Sequence, residues 1–258
     1  MIQRGHFAFS NARMQARHGM RPTTETWVLL ESSGDLAAYL AQAARTSLNR
    51  WTHHLSYDMS AQAIERALRS GWRAYVLEVA RWVPGAWRDA VACCTWLADL
   101  PALEYLLGAQ PDLPGWLLED GVTAEFAAIE REERDERLGQ SLPAQPGRRG
   151  RPVGPTARWA GHWRSLWPRT GGRETRGLDA LQHLVAEHLG RMAEADGPER
   201  GQQHRDELGA GLVRIFRRHS RSPAAAFAHL GVIALDLERL RGGLLTRALF
   251  TREPMVQP

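Results

Sequence analysis

Ile64-Glu65-Arg66-Ala67-Leu68-Arg69, running on to Trp82-Val83-Pro84-Gly85, is the stretch whose reading decides the fold. Its apolar residues Ile64, Leu68, Trp72, Tyr75, Val76, Val79, Trp82 and Val83 recur at three- and four-residue steps. That spacing keeps them on one face of a helix about five turns long, at ~3.6 residues per turn. Ser60 is placed to cap its start, and Pro84-Gly85 stop it. The stretch carries no recognisable catalytic group, so it points to a protein that works by contact.

The same periodicity extends toward the N-terminus. Phe7 to Gly19 reads as a helix, with Gly19 as its stop. Thr23 or Thr24 can cap a short helix whose positive end suits Glu25, with Trp27, Leu29 and Leu30 as its apolar side. After Ser32-Ser33-Gly34 a further helix carries Leu36, Tyr39, Leu40 and Ala43.

Beyond Gly85 the spacing predicts a helix from about Ala86 to Leu100 and a short one around Leu103 to Leu107. Pro111 to Gly121 is turn-rich, and Glu125 to Leu138 reads as one strongly charged helix. Gln140 to Pro155 is proline, glycine and arginine with almost no apolar residue, which predicts an exposed loop or linker. Trp159, Trp163, Leu166 and Trp167 form an aromatic stripe ended by Pro168, and Arg169 to Arg176 reads as a loop.

Three helices complete the chain. One carries Leu178, Leu181, Leu184, Val185, Leu189 and Met192 on a face; the next carries Leu208, Leu212, Ile215 and Phe216. Ser222-Pro223 starts the last, where Leu230, Ile233, Leu237, Leu240 and Leu244 make a seam that wants a partner helix. Alternation of period two is absent and β-branched residues are sparse. The expected fold is all-α, a bundle-like or funnel-like body of about nine to eleven helices. Its expected divisions are an N-terminal helical part (1–138), a Pro/Arg/Gly-rich linker (139–158), a C-terminal helical part (159–250) and a tail (251–258).

Composition narrows the function classes. The chain has 258 residues, 43% hydrophobic and 24% charged, which fits a globular protein rather than a disordered one. No apolar run approaches the roughly 18 to 20 residues of a membrane span. The opening residues lack the apolar core and cleavage site of a signal peptide, so a cytoplasmic protein is expected. The pI is 9.6, yet the formal net charge is only +4. All 33 basic residues are arginine, a usage that fits a GC-rich genome. The arginines are interleaved with acids, as on a solvated or salt-bridged surface.

Candidate chemistry is thin. Cys93 and Cys94 are neighbours inside an apolar stretch and read as buried free thiols. His53-His54 point apart on a helix, and His183 and His188 are five apart, not the i, i+4 spacing of a zinc helix. Asp236 and Glu238 lie off the apolar seam, where Arg239 or Arg241 can pair with them. Arg148-Arg149-Gly150-Arg151 reads as solvated linker rather than a phosphate grip. Trp72, Trp82 and Trp87 read as core. No phosphate loop, nucleophile elbow or His-Glu-x-x-His pair is present, so no catalytic, cofactor-binding or metal-binding residue is assigned.

The order of elements resembles the C/d subunit family of V-type and archaeal-type rotary ATPases, as a divergent, shortened bacterial member. The resemblance rests on Phe7-Ala8-Phe9-Ser10-Asn11-Ala12-Arg13-Met14-Gln15-Ala16-Arg17, on Trp27-Val28-Leu29-Leu30 and on Leu36-Ala37-Ala38-Tyr39-Leu40. It continues in Ile64 to Leu68 with Trp82-Val83-Pro84, and in Phe227 to Leu244 with Leu237-Glu238-Arg239-Leu240-Arg241. These segments lie toward the two ends of the chain, and Pro111 to Gly177 has no clear counterpart.

The resemblance implies a helical, non-catalytic subunit that joins the central shaft to the membrane proteolipid ring and supports proton or cation transport. It implies no cofactor, no nucleic acid and no membrane span of its own, and a position on the inner face of the plasma membrane. Arginine-rich faces and the aromatic stripe are then the candidate partner contacts: Arg13, Arg17, Arg239, Arg241, Trp159 and Trp163. Two rival readings are a basic helical module for nucleic acid or protein interaction, and a helical enzyme with a pocket near Trp159 to Trp167. Retention on nucleic acid that falls steeply with salt would mark the first, and converged polar groups in a deep apolar cavity the second.

Overall fold

A computed structural model describes residues 7–108, 116–142, 154–169 and 171–250. Among the described residues there is no strand, and fourteen α-helices are present, more than the nine to eleven expected. The excess arises because one segment read as a continuous helix is two, and because two four-residue helices escape a periodicity argument. The chain divides into two compact units. The first holds Met1–Gly71, Trp82–Pro84 and Thr170–Pro258; the second holds Trp72–Arg81 and Gly85–Arg169.

In the first unit, α1 (Ala8–Gly19) buries Met14 and carries Arg17 in its last turn, where the charge suits the helix's negative pole. Thr23 caps α2 (Thr24–Glu31) by accepting from the Thr26 amide, and Asp35 caps α3 (Leu36–Ala43) through the Ala38 amide. A short α4 (Asn49–Thr52) leads to α5 (Ala61–Trp82), whose 22 residues start at a Ser60 cap. Val83 is extended at its end, as a residue before proline must be. Ile64, Leu68, Trp72, Tyr75, Val76, Val79, Trp82 and Val83 are all buried, as their spacing predicts.

After Pro84 the chain lies in the second unit as far as Arg169. The stretch expected as one helix from Ala86 to Leu100 is instead a 3-10 turn (Gly85–Trp87), α6 (Arg88–Ala92) and a 3-10 run (Cys93–Ala98). Here tryptophan donors compete for backbone acceptors. The Trp159 indole N–H donates to the Cys93 carbonyl at 2.9 Å and that of Trp72 to the Cys94 carbonyl at 3.0 Å. In an α-helix those carbonyls would face the fourth residue on.

α7 (Leu100–Leu107), α8 (Trp116–Glu119), α9 (Gly121–Ala127), α10 (Arg131–Ser141) and α11 (Pro155–Ser165) follow. The charged helix expected from Glu125 to Leu138 is therefore two helices. The break lets Phe126 and Leu138 both enter one core with Leu103, Leu106, Leu117 and Leu142. Arg134 fills the break, donating to the carbonyls of Phe126, Ile129 and Leu106.

The expected linker is helical at both edges. Residues 139–141 finish α10, Leu142 is buried, and Pro155 opens α11. Residues 143–153, including Arg148, Arg149 and Arg151, lie outside the described residues, as do Pro111 to Gly115 and the tail from 251.

Three long helices complete the first unit: α12 (Gly172–Ala193), α13 (Pro198–Arg218) and α14 (Pro223–Phe250). α12 begins inside the stretch expected as a loop from Arg169 to Arg176. All three pack on one another. α14 is the centre: Leu230, Ile233, Leu237, Leu240 and Leu244 are buried, together with Ala224, Ala225, Ala226 and Ala228. Gly211 lets α12 and α13 approach closely, since a Cβ there would meet the Leu184 side chain at 2.7 Å. The apolar face of α12 is only partly used: Leu178 and Leu181 are buried, whereas Val185 and Leu189 are exposed. Among the described residues no single helix is long and apolar enough to cross a membrane.

Candidate functional site

The first unit carries a groove of about 1030 Å³. The turn after α1 and the start of α2 form one wall, from Arg21 to Trp27; α13 forms a second, and α14 closes it between Leu235 and Gly242. Residues of α13 line it at alternating steps of three and one, as one face of a straight helix does.

Charge in the groove is ordered. Arg21 makes a two-pronged contact with Asp236, Nε to Oδ2 at 2.6 Å and Nη2 to Oδ1 at 2.8 Å. Arg205 donates to Glu238 at 3.0 Å, and Arg241 pairs with Glu65. Arg239 is doubly bonded to Glu31, at 2.6 and 2.9 Å, and its guanidinium sits 4.8 Å over the Trp27 ring. The hydrogen bonds that Arg239 donates to Glu31 hold it firmly in its charged form. Arg214 and Arg217, both exposed on α13, have no ion pair among the described residues.

Intrahelical spacing assigns Asp236 and Glu238 to Arg239 or Arg241, off the seam. The structure corrects this: Asp236 is buried, and each acid pairs with an arginine of another element. Partners three residues apart on an exposed helix contribute only about 0.3–0.5 kcal/mol, so a planar fork reaching in from a neighbouring element wins.

Of the six candidate contacts, Arg239 and Arg241 line the groove. Arg13 lies elsewhere in the first unit, its guanidinium 5.0 Å from the Phe9 ring and 5.5 Å from the Trp82 ring. Arg17 ends α1 and is half-buried. Trp159 and Trp163 belong to the second unit and do not form an open face. Their rings stack at 5.5 Å, Trp163 is 8% exposed, and Trp167 meets it edge-on at 4.8 Å.

Arg21, Arg214 and Arg217 were not foreseeable as groove residues, because nothing local distinguishes them from the other arginines. His229 was also missed. It is fully buried on α14 against Phe216, which in turn contacts His18. Burial, reinforced by the charges of Arg21, Arg17 and Arg50, pushes the His229 imidazole down to about 3. Its i, i+4 spacing from Ile233 placed it on the core face and was the available signal.

The groove holds no arrangement of nucleophile and base. Asp236 and Glu238 are tied to arginines, Asp206 accepts from Gln202, and Glu25 is fully exposed. Among the described residues no cluster of His, Cys, Asp and Glu could hold a metal ion. Both cysteines are free and buried, and burial pushes the Cys93 thiol up to about 11 and the Cys94 thiol well above its ordinary value. Such thiols are poor nucleophiles near neutral pH. Compared with known proteins, the chain matches no family model, no curated protein and no solved structure.

Proposed function

We propose that this chain is a non-catalytic coupling subunit of the C/d type, joining the central shaft of a rotary ATPase to its membrane ring and so supporting proton or cation transport. One observation carries the reading. The segments of resemblance are scattered from Phe7 to Leu244, yet apart from the interior of α5 they fold into the same compact unit. The stretch without a counterpart, Pro111 to Gly177, falls mostly in the other. A resemblance produced by chance helical periodicity has no reason to respect that division.

The chemistry of the first unit agrees. Its groove fixes guanidinium groups in defined orientations and offers a surface rather than a reaction centre. Well-packed helices resist deformation, which suits a part that passes torque by contact. On this reading the protein sits at the inner face of the plasma membrane without spanning it, and it takes no nucleic acid.

The test is affinity purification of the tagged, full-length chain from detergent-solubilised membranes of the organism that encodes it. Co-purification of a proteolipid ring and a shaft subunit is expected. Recovery without either, from membranes in which the ring is present, overturns the reading.

A further inference from the structure

The face of α13 that opens into the groove has a graded composition. It starts at Gln202, Arg205 and Asp206, continues through Gly209, Ala210 and Val213, and ends at Arg214 and Arg217. The stripe covers four turns, about 22 Å at 1.5 Å per residue. Its middle is small and apolar and open to solvent: Ala210 is exposed, and Gly209 and Val213 are half-exposed. Leu235, half-buried on α14, supplies apolar surface opposite. A Cβ added at Gly209 would meet only the Leu235 Cδ1, at 3.5 Å, so this glycine is not required by packing inside the chain.

Small residues in the middle of a long, straight stripe are what a second helix needs to lie close. The two ends differ in charge. Arg21, Arg205, Arg239 and Arg241 are already neutralised by Asp236, Glu238, Glu31 and Glu65, and the exposed Asp206 stands toward the start of the stripe, with Glu25 also in the lining. On the α13 side Arg214 and Arg217 lie three residues apart, which puts their Cβ atoms about 5–6 Å from one another on one face. Carboxylates three or four residues apart on a facing helix match that separation.

We infer that the groove between α13, α14 and the start of α2 is a docking site for an acidic amphipathic helix of another protein. Its apolar face lies over Gly209, Ala210 and Val213, and its carboxylates meet Arg214 and Arg217. This rests on the reading of the first unit as a docking body. It does not depend on which assembly supplies the helix.

The test is fluorescence anisotropy with the full chain and three labelled, stapled helices of about 16 residues, long enough for the stripe at 1.5 Å per residue. One has a Leu/Ala face flanked by Glu, one has the same composition scrambled so that no face forms, and one has Lys for Glu. The acidic amphipathic helix binds most tightly, and its binding weakens as salt rises. R214E/R217E weakens it about tenfold, because each reversal turns an attraction into a repulsion. Gly209→Leu, which keeps every charge, weakens it by filling the groove. R45E/R176E, on exposed arginines outside the groove, leaves it unchanged.

Equal binding of the scrambled helix, tighter binding of the Lys helix, or an equal loss in R45E/R176E overturns the inference. So does absence of binding. Any of these outcomes leaves the co-purification result standing. Conversely, helix binding by a chain that brings down no ring or shaft subunit would keep the groove and remove the rotary reading.

Discussion

Arg21 and Asp236 stand 215 positions apart and meet through two parallel hydrogen bonds, at 2.6 and 2.8 Å. The pair fastens the turn after α1 to the middle of α14, and the carboxylate is 11% exposed. A planar guanidinium matches both carboxylate oxygens at once, which fixes direction as well as distance. Asp236→Ala removes the acceptor and leaves a guanidinium at a largely covered site. It is expected to lower stability by about 2–3 kcal/mol, with R21A costing at least as much because it strands the more buried carboxylate. A double-mutant cycle read by urea unfolding should give a coupling of about 1–2 kcal/mol. Additive losses would mean the contact contributes nothing of its own.

The second unit has a counterpart in Arg73. It bonds Asp99, with Nε at 3.1 Å from Oδ2, and reaches Asp120 at 3.5 Å. Both carboxylates are almost completely buried, at 2% and 4% exposure. Arg73→Met would strand them, with an expected loss of about 3–5 kcal/mol. Arg73→Lys should recover only part of that, because a single ammonium cannot serve a fork and a second carboxylate together. Thermal unfolding of the two variants decides it; a lysine variant as stable as the parent contradicts the geometry.

Tyr39 lies close against Gly243. A Cβ on residue 243 would stand 2.3 Å from the Tyr39 hydroxyl oxygen and 2.7 Å from Cζ. Tyr39 is fully buried, so its ring has little room to retreat. Gly243→Ala is expected to destabilise by about 1–3 kcal/mol through overpacking. The hydroxyl has no hydrogen-bond partner among the described residues, and burial pushes it up to about 12. Tyr39→Phe should therefore be neutral or stabilising by about 1 kcal/mol, and should relieve part of the G243A loss. A destabilising Y39F would show that the hydroxyl is bonded after all.

His229 gives the fold an acid sensitivity with a definite sign. Its folded-state value of about 3 lies below the 6.5 of an unperturbed imidazole. Between those values the unfolded chain binds a proton that the folded chain refuses, so acid favours unfolding. Stability is unaffected by this group above about pH 6.5 and falls as pH drops toward 3, at up to about 1.4 kcal/mol per pH unit. His18 is lowered too and adds in the same direction. His229→Gln should flatten the dependence of unfolding free energy on pH between 6 and 4. An unchanged slope would mean that the imidazole is protonated in the folded state.

Periodicity made the long elements legible: α5, its Ser60 cap and its Pro84 stop, and the buried seam of α14, follow from apolar spacing and end signals. It failed where tertiary contacts overrule local preference. The Cys93–Ala98 segment becomes 3-10 with its carbonyls taken by Trp72 and Trp159, one of them 66 residues away. The α9–α10 break is filled by Arg134, a residue that reads only as surface charge. The groove was hidden for the same reason. Arg21, Arg214 and Asp236 are unremarkable in sequence and acquire meaning only when distant helices bring them to one wall.

Ion uptake by inverted membrane vesicles tests the coupling role most directly. Vesicles from a strain lacking this chain should bind little or no ATPase head and show no ATP-driven ion uptake, and adding back the purified full-length protein with the heads should restore both. Full ATP-driven uptake in its absence would contradict the coupling role outright.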